Sequence, residues 1–251
     1  MSHSNSVELV KNEGWDERIL VLRNGELVDT FIVVSEKYVV VVDTMINAET
    51  AVSLLNHAQA HLTNRHLLVI NTHADYDHAW GNQVFNVPII GTHQCADLLH
   101  SAKTRERLAH MQAQEPDIFN NVRLTPPTIL FEETLTLHGG DLTLELFATP
   151  GHTCDHLSIY IPEIDTLLAA DAAEVPFPFA RTTDGLPHMR ESLEKLADFN
   201  AQTVLYCHAP VTIGSQLLHD NIAYFDKVED HCREALAQGM PAQPDENADV
   251  A

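Results

Sequence analysis

Short β-branched runs alternate with one clear amphipathic stretch in the first third of the chain. Residues 19–24, 30–35 and 37–43 read as strands, two of them joined by the glycine-containing turn RNGE. Residues 47–62, NAETAVSLLNHAQAHL, carry the helical period, with Asn47 placed as the N-cap. The pattern then predicts a strand at 66–71, a short helix near 78–85, a strand at 87–92 and a helix over 93–112. QEPDIFNNVRLTPPT (114–128) is a long irregular connection, the natural place for a lid. From about 129 strands return. ETLTLHGGDLTLELFAT alternates and turns at Gly139-Gly140, which reads as a hairpin. Further strands are predicted at 156–163, 166–170 and 203–207, and helices at 187–200 and 214–237. The polar tail 238–251 should fray. In both halves strands come first and helices later. That order predicts two packed sheets with helices outside, in a single domain spanning 1–251 with its core at about 15–237.

Composition narrows the partners. The chain has 251 residues, 45% of them hydrophobic, enough for one large core. Its longest β-branched run, YVVVVDT, is too short to span a bilayer. The first residues show neither a basic n-region nor an apolar h-region, so a cytoplasmic location is expected. The formal net charge is −22, with only 14 Lys and Arg. Such a surface repels nucleic acid and anionic membranes, so neither is an expected partner, and homo-oligomer formation is open; the small-molecule partner expected of this chain comes from its candidate chemistry, not from its charge. Cys95, Cys154, Cys207 and Cys232 are irregularly spaced, which argues against a disulfide framework or a zinc ribbon.

The candidate chemistry sits where strands end. NTHADYDHAW (71–80) follows the apolar run HLLVI and places His73, Asp75, Asp77 and His78 close together. FATPGHTCDH puts His152 in a Pro-Gly turn after a strand, TLLAADAAE ends a strand at Asp171, and TVLYCHAP ends one at His208. Each is weak alone. Four strand ends of one fold, however, can converge on one rim, and imidazoles with carboxylates suit zinc, iron or manganese.

In this order, a His-rich cluster, P-G-H-T, a strand-end Asp and a strand-end His, the sequence resembles the metallo-β-lactamase superfamily. Its leading motif is H-x-H-x-D-H, which here reads H-A-D-Y-D-H. The resemblance implies an α+β fold, an αββα sandwich of two mixed sheets flanked by helices, with two divalent metal ions at one edge. It assigns one ion to His73, Asp75 and His152, the other to Asp77, His78 and His208, and makes Asp171 the bridge. It implies a metal-dependent hydrolase in which hydroxide held by the ions attacks an ester, thioester, lactone or amide-like bond. Asp77 would also assist proton transfer to the leaving group. A non-haem iron oxidoreductase and a metal-binding sensor without turnover are the alternatives.

Asp75 stands where the family usually has His. Three carboxylates then set about −3 against the +4 of two divalent ions, where the usual set places about −2. Zinc remains the first expectation, and the harder donor opens the site to iron or manganese as well. Asp43 and His156 are expected behind the ligands as supports. EVPFPFARTTDG (174–185) should run over the site, offering Phe177, Phe179 and Arg181 to a substrate. Cys154 and Cys207 read as buried, inert thiols, Tyr76 and Trp80 as packing residues, and the 93–112 helix as part of the outer layer.

Overall fold

A computed structural model of the chain describes residues 3–208 and 214–239. Seven strands form the first sheet in chain order: β1 (Glu8–Leu9), β2 (Ile19–Asn24), β3 (Val28–Val34), β4 (Tyr38–Val42), β5 (His66–Ile70), β6 (Ile89–Thr92) and β7 (Ile129–Phe131). The strands from β1 to β4 pair antiparallel and those from β4 to β7 parallel. The second sheet holds β8 (Thr134–His138), β9 (Thr143–Ala148), β10 (Leu157–Ile161), β11 (Thr166–Ala170) and β12 (Thr203–Tyr206), in the spatial order β12-β11-β10-β9-β8. There β11 and β12 run parallel and the other pairs antiparallel. Both sheets are mixed and helices flank them, the αββα arrangement expected.

The period-2 pleat explains how the second sheet serves two cores. On β11, Leu168 and Ala170 join the cluster that also contains the valines of β4, while Leu167 and Ala169 join the cluster of α6 (Gly185–Asp198) and α7 (Gln216–Ala237). On β12, Leu205 faces the first cluster and Val204 and Tyr206 the second, with Cys207 continuing the inward face. Val39 to Val42 of β4 are all fully buried, as an unbroken apolar run covered on both faces should be. α1 (Ala48–Gln59) lays Ala51, Leu54 and Ala58 on that cluster, and Asn47 caps it by accepting from the Thr50 N–H at 3.0 Å. α6 buries Met189, Ser192, Leu193 and Leu196, one helical stripe.

Three segments differ from the pattern. The helix expected over 93–112 is two, α3 (His93–His100) and α4 (Ala102–Gln114). Ser101 between them is extended (φ −66°, ψ 155°), and its hydroxyl accepts from the Thr104 N–H, starting a second helix. The helix near 78–85 is a single turn, α2 (Tyr76–Ala79), followed by a 3₁₀ turn at Asn82–Val84. Gly81 lies between them, where a Cβ would be only 2.1 Å from the Thr44 carbonyl oxygen, so this close approach requires glycine. The 114–128 connection is no lid at its start. It contains α5 (Pro116–Phe119), and Phe119 and Val122 are buried in one cluster with Trp80, forming a side wall. The tail expected at 238–251 lies, from residue 240 on, outside the described residues.

Strand register positions the site. Val42 of β4 pairs with Ile70 of β5, so Asp43 and the Asn71-Thr72-His73 stretch leave the first sheet side by side. Leu157 of β10 pairs with Ala148 of β9, and Ala170 of β11 with Tyr206 of β12, which aligns the turns holding His152, Asp171 and His208. At this rim the sheets are stitched directly: the Leu157 N–H donates to the Thr72 carbonyl and the Asp29 N–H to the Cys207 carbonyl, both at 2.9 Å. Among the described residues, no helix is long and apolar enough to cross a membrane.

Candidate metal centre

Asp43 is the rear anchor of the site. Its backbone is in the left-handed region (φ 66°), a strained conformation of the kind that clusters at functional sites. One carboxylate oxygen accepts from the Thr72 N–H at 2.7 Å; the other accepts from the Thr72 hydroxyl at 2.7 Å and from His78 Nδ1 at 2.8 Å. A carboxylate only accepts, so Nδ1 of His78 carries the proton and Nε2 turns into the cluster as a bare donor atom. With the Thr72 hydroxyl proton committed to Asp43, His73 Nδ1 donates to Thr72 Oγ1 at 3.0 Å, and its Nε2 faces inward likewise.

The second sheet supplies the opposite side. His152 Nδ1 donates to the Phe179 carbonyl at 2.8 Å and lies 3.2 Å from Glu174 Oε1, so its Nε2 also faces the cluster. Gly151 allows this turn. It has φ +149°, and a Cβ would lie 2.2 Å from the Met189 Cα of α6. Asp171 Oδ2 is 3.2 Å from His78 and His208 Nε2 and 3.5 Å from His73 and His152 Nε2. His156 supports Asp171 from behind. Its Nε2 accepts from the Asp171 N–H at 3.1 Å, so its Nδ1 donates to Thr149 Oγ1 at 2.8 Å. Burial holds its pKa well below the ordinary histidine value, in line with a neutral ring.

Two groups of three donors result. His73, Asp75 and His152 offer atoms that lie within 4.8 Å of one another, as do Asp77, His78 and His208. Asp171 adjoins both, grouping with His73 and His78. The buried Nε2 atoms of His73 and His152 and Oδ1 of Asp171 have no hydrogen-bond partner. Buried polar atoms left bare at one point are what a cation would satisfy, so these residues fit a metal centre. Burial opposes charge on His152, but Asp75, Glu174 and Asp171 outweigh it and push its pKa up to about 10. His208 is pushed to about 9, against burial, by Asp171 and Asp77. Burial likewise opposes ionisation of Asp75, and His152, His73 and Arg181 hold its pKa well below the usual carboxylate range. The carboxylates thus favour positive charge at this point, which a proton or a metal cation on the same nitrogens would supply.

The mouth differs from the pattern's expectation. Arg181 reaches a carboxylate of the chain itself, Asp75 Oδ2. Arg107, on a helix expected to be a plain outer layer, lies 3.7 Å from Asp75 Oδ1. The charge count made from the motif alone therefore omits two cations. Phe179 stands beside His152, ring centroids 6.0 Å apart, whereas Phe177 packs on Tyr224 of α7 at 4.8 Å. Tyr76 and Trp80 pack with Phe119, as expected. Cys154 and Cys207 are free thiols; Cys154 is exposed rather than buried, because its turn leaves the side chain at the surface, and Cys207 lies buried behind Asp43 and His78 with its pKa raised by burial and nearby carboxylates. Asp155, not singled out by the sequence pattern, is buried and accepts from the Ala74 N–H at 2.7 Å, tethering the backbone between His73 and Asp75. Glu174, also missed, is fixed by Asn221 of α7 through two backbone contacts of 3.0 Å.

Residues 23–208 match the family model of the metallo-beta-lactamase superfamily. A hydroxyacylglutathione hydrolase of Hahella chejuensis is 27% identical over 209 residues, covering 76% of this chain and 67% of that protein. One of Mesorhizobium japonicum is 38% identical over 89 residues, covering 34% of this chain and 33% of that one. The matched stretch thus spans about a third of the Mesorhizobium relative. A metallo-beta-lactamase from Pontibacter korlensis superposes with a TM-score of 0.67 at 18% identity, covering 88% of this chain and 99% of that one. At that identity the likeness speaks for the fold alone.

Proposed function

The chain belongs to the metallo-beta-lactamase superfamily, and on that premise we propose that it is a metal-dependent hydrolase of a small acyl compound. A thioester or ester is the first candidate bond, since the two relatives described above are named hydroxyacylglutathione hydrolases. A lactone or amide-like bond is the wider class. The observation that carries this reading is the set of bare, buried donor atoms on His73, His152 and Asp171.

His73, Asp75 and His152 would hold one divalent ion, Asp77, His78 and His208 the other, with Asp171 shared; zinc is the first choice of metal. Such ions supply a water acidified toward neutral pKa and a Lewis acid for the carbonyl oxygen. The chain does the rest. Asp43 and the Phe179 carbonyl fix the proton-bearing nitrogens of His78 and His152, so that each presents its other nitrogen. Asp77 directs Oδ2 toward His208 at 3.5 Å and His78 at 3.9 Å, and its second oxygen is a place to hold a proton for the leaving group.

Elemental analysis of protein purified without added metal tests the first half of this reading, and hydrolysis of a thioester, ester and lactone panel tests the second. The expected result is two ions per chain, with hydrolysis lost to a chelator and recovered on reloading. A chain that takes up no ion sinks the proposal. Iron in the purified protein with dioxygen consumption and no hydrolysis would replace it with the oxidoreductase reading, which the hard Asp75 donor favours.

A further inference from the structure

Asp75 is the N-cap residue of α2, yet its side chain makes no capping bond. The carboxylate is committed elsewhere. Oδ2 lies 3.5 Å from His152 Nε2, 3.7 Å from His73 Nε2 and against the Arg181 guanidinium. Oδ1 faces Arg107 Nη1 at 3.7 Å. Both guanidiniums rest on aromatic faces, Arg107 over Tyr76 at 4.9 Å and Arg181 over Phe179 at 5.7 Å. The chain has 14 Lys and Arg against 36 Asp and Glu, so two arginines on one carboxylate are a marked concentration. They come from unrelated segments, one from α4 and one from the stretch that follows β11.

We infer that Asp75, Arg107 and Arg181 act as one unit in place of a third imidazole. Asp75 presents Oδ2 to the pocket of His73 and His152, and the two guanidiniums hold the carboxylate and return the positive charge it removes. The charge count supports this. A neutral imidazole contributes nothing, a lone carboxylate −1, and the carboxylate with two guanidiniums +1. The pocket is therefore no less positive than one built from three histidines. Arg107 and Arg181 are positioning residues that act through Asp75. The inference rests on the metal-centre reading above.

It makes restoring the family motif harmful. In Asp75→His the two guanidiniums would face the pocket with no carboxylate between them and the cation, and like charges a few Å apart repel even where solvent partly screens them. The test is zinc retention by the full-length protein against a chromophoric chelator, read together with melting temperature. Asp75→His should hold its weaker zinc roughly tenfold less tightly than wild type, or worse. Adding Arg107→Ala and Arg181→Ala should recover most of that loss, and the arginine changes should matter more in the histidine background than in wild type. Asp75→Asn, nearly isosteric, should lose zinc at least as strongly and regain part of that loss when the two arginines are removed, which covers the case in which the histidine variant does not fold. Equal or tighter zinc retention by Asp75→His, or an equal effect of the arginine changes in both backgrounds, overturns the inference. A wild type that takes up no zinc or other divalent ion overturns instead the metal-centre reading beneath it.

Discussion

The two halves of the cluster are built by opposite means. The rear half, around His78, is held by the core. Asp43 and Thr72 are buried, and every oxygen of the Asp43 carboxylate accepts a bond from a group that positions a donor. The mouth half, around Asp75 and His152, is held by surface segments. Arg107 and Arg181 are about a third exposed at their side chains, and the Phe179 carbonyl that fixes His152 belongs to a residue 46% exposed. One pocket is therefore as rigid as the sheet ends that carry it. The other is as rigid as the ties of an exposed strap. The difference predicts where a substitution spreads into global stability and where it stays in the pocket.

The rear should show the largest effect. In Asp43→Asn, one acceptor oxygen becomes an NH₂ group facing a donor, because both original oxygens only accept. The variant should lose about 3–5 kcal/mol of stability, the scale for breaking a buried charged network by changing one partner. Urea unfolding of chelator-treated protein measures this without metal. The metal-to-protein ratio should fall toward one as the His78 pocket empties. A stability loss below about 1 kcal/mol would break the comparison, since the rear would then be no more anchored than the surface.

Asp155 is the nearest equivalent on the mouth side and should give an intermediate effect. Only its Oδ2 has a bond, to the Ala74 N–H, while Oδ1 is buried without a partner. Burial raises its pKa, so the charged form is already disfavoured. Asp155→Ala leaves a buried N–H unsatisfied and should cost about 1–3 kcal/mol. Asp155→Asn keeps the acceptor and should cost less than about 1 kcal/mol, in contrast to the same change at Asp43. If the two Asn variants prove equally destabilised, the carboxylates do the same work and the contrast between rear and mouth fails.

The metal-facing donors were more legible in the sequence than the residues that hold the mouth, and the reason is physical. Donors at strand ends announce themselves, because an apolar run that stops at His or Asp marks both the element and the position. His73, His152, Asp171 and His208 all follow such runs, and parallel or paired register aligns those ends. Asp43 was legible on the same ground. Arg107, Asp155 and Glu174 carry no local mark. Arg107 lies on a polar helix face like many others, and only the folding of α4 against α2 brings it to Asp75. The break at Ser101 that starts α4 was missed as well, because the apolar period of 93–112 masks a capping serine. The sequence likewise suggested a lid at 114–128, where Phe119 and Val122 instead fill the wall beside Trp80. Of the strap residues, Phe177 and Phe179 look equivalent in sequence, and packing alone separates them.

That separation supports the smallest prediction. The strap after Asp171 is tied outward to α7 by the Glu174–Asn221 pair and by Phe177 on Tyr224, and inward by three ties. The inner ties are Arg181 on Asp75, the Arg181 N–H donating to the His152 carbonyl at 2.9 Å, and His152 Nδ1 donating to the Phe179 carbonyl. An aromatic pair contributes about 0.5–1.5 kcal/mol beyond its buried area, and exposure reduces the area term. Phe177 is 55% exposed, so Phe177→Ala should cost less than about 1 kcal/mol in unfolding. If the inner ties set the pocket, metal retention should not change, because His152 and Asp75 keep every partner they have. A Phe177→Ala variant that releases metal as readily as Asp155→Ala would show that the mouth is governed from α7, through the strap's outer side, and that a rigid helix, not the arginines, sets how firmly the second half of the cluster is held.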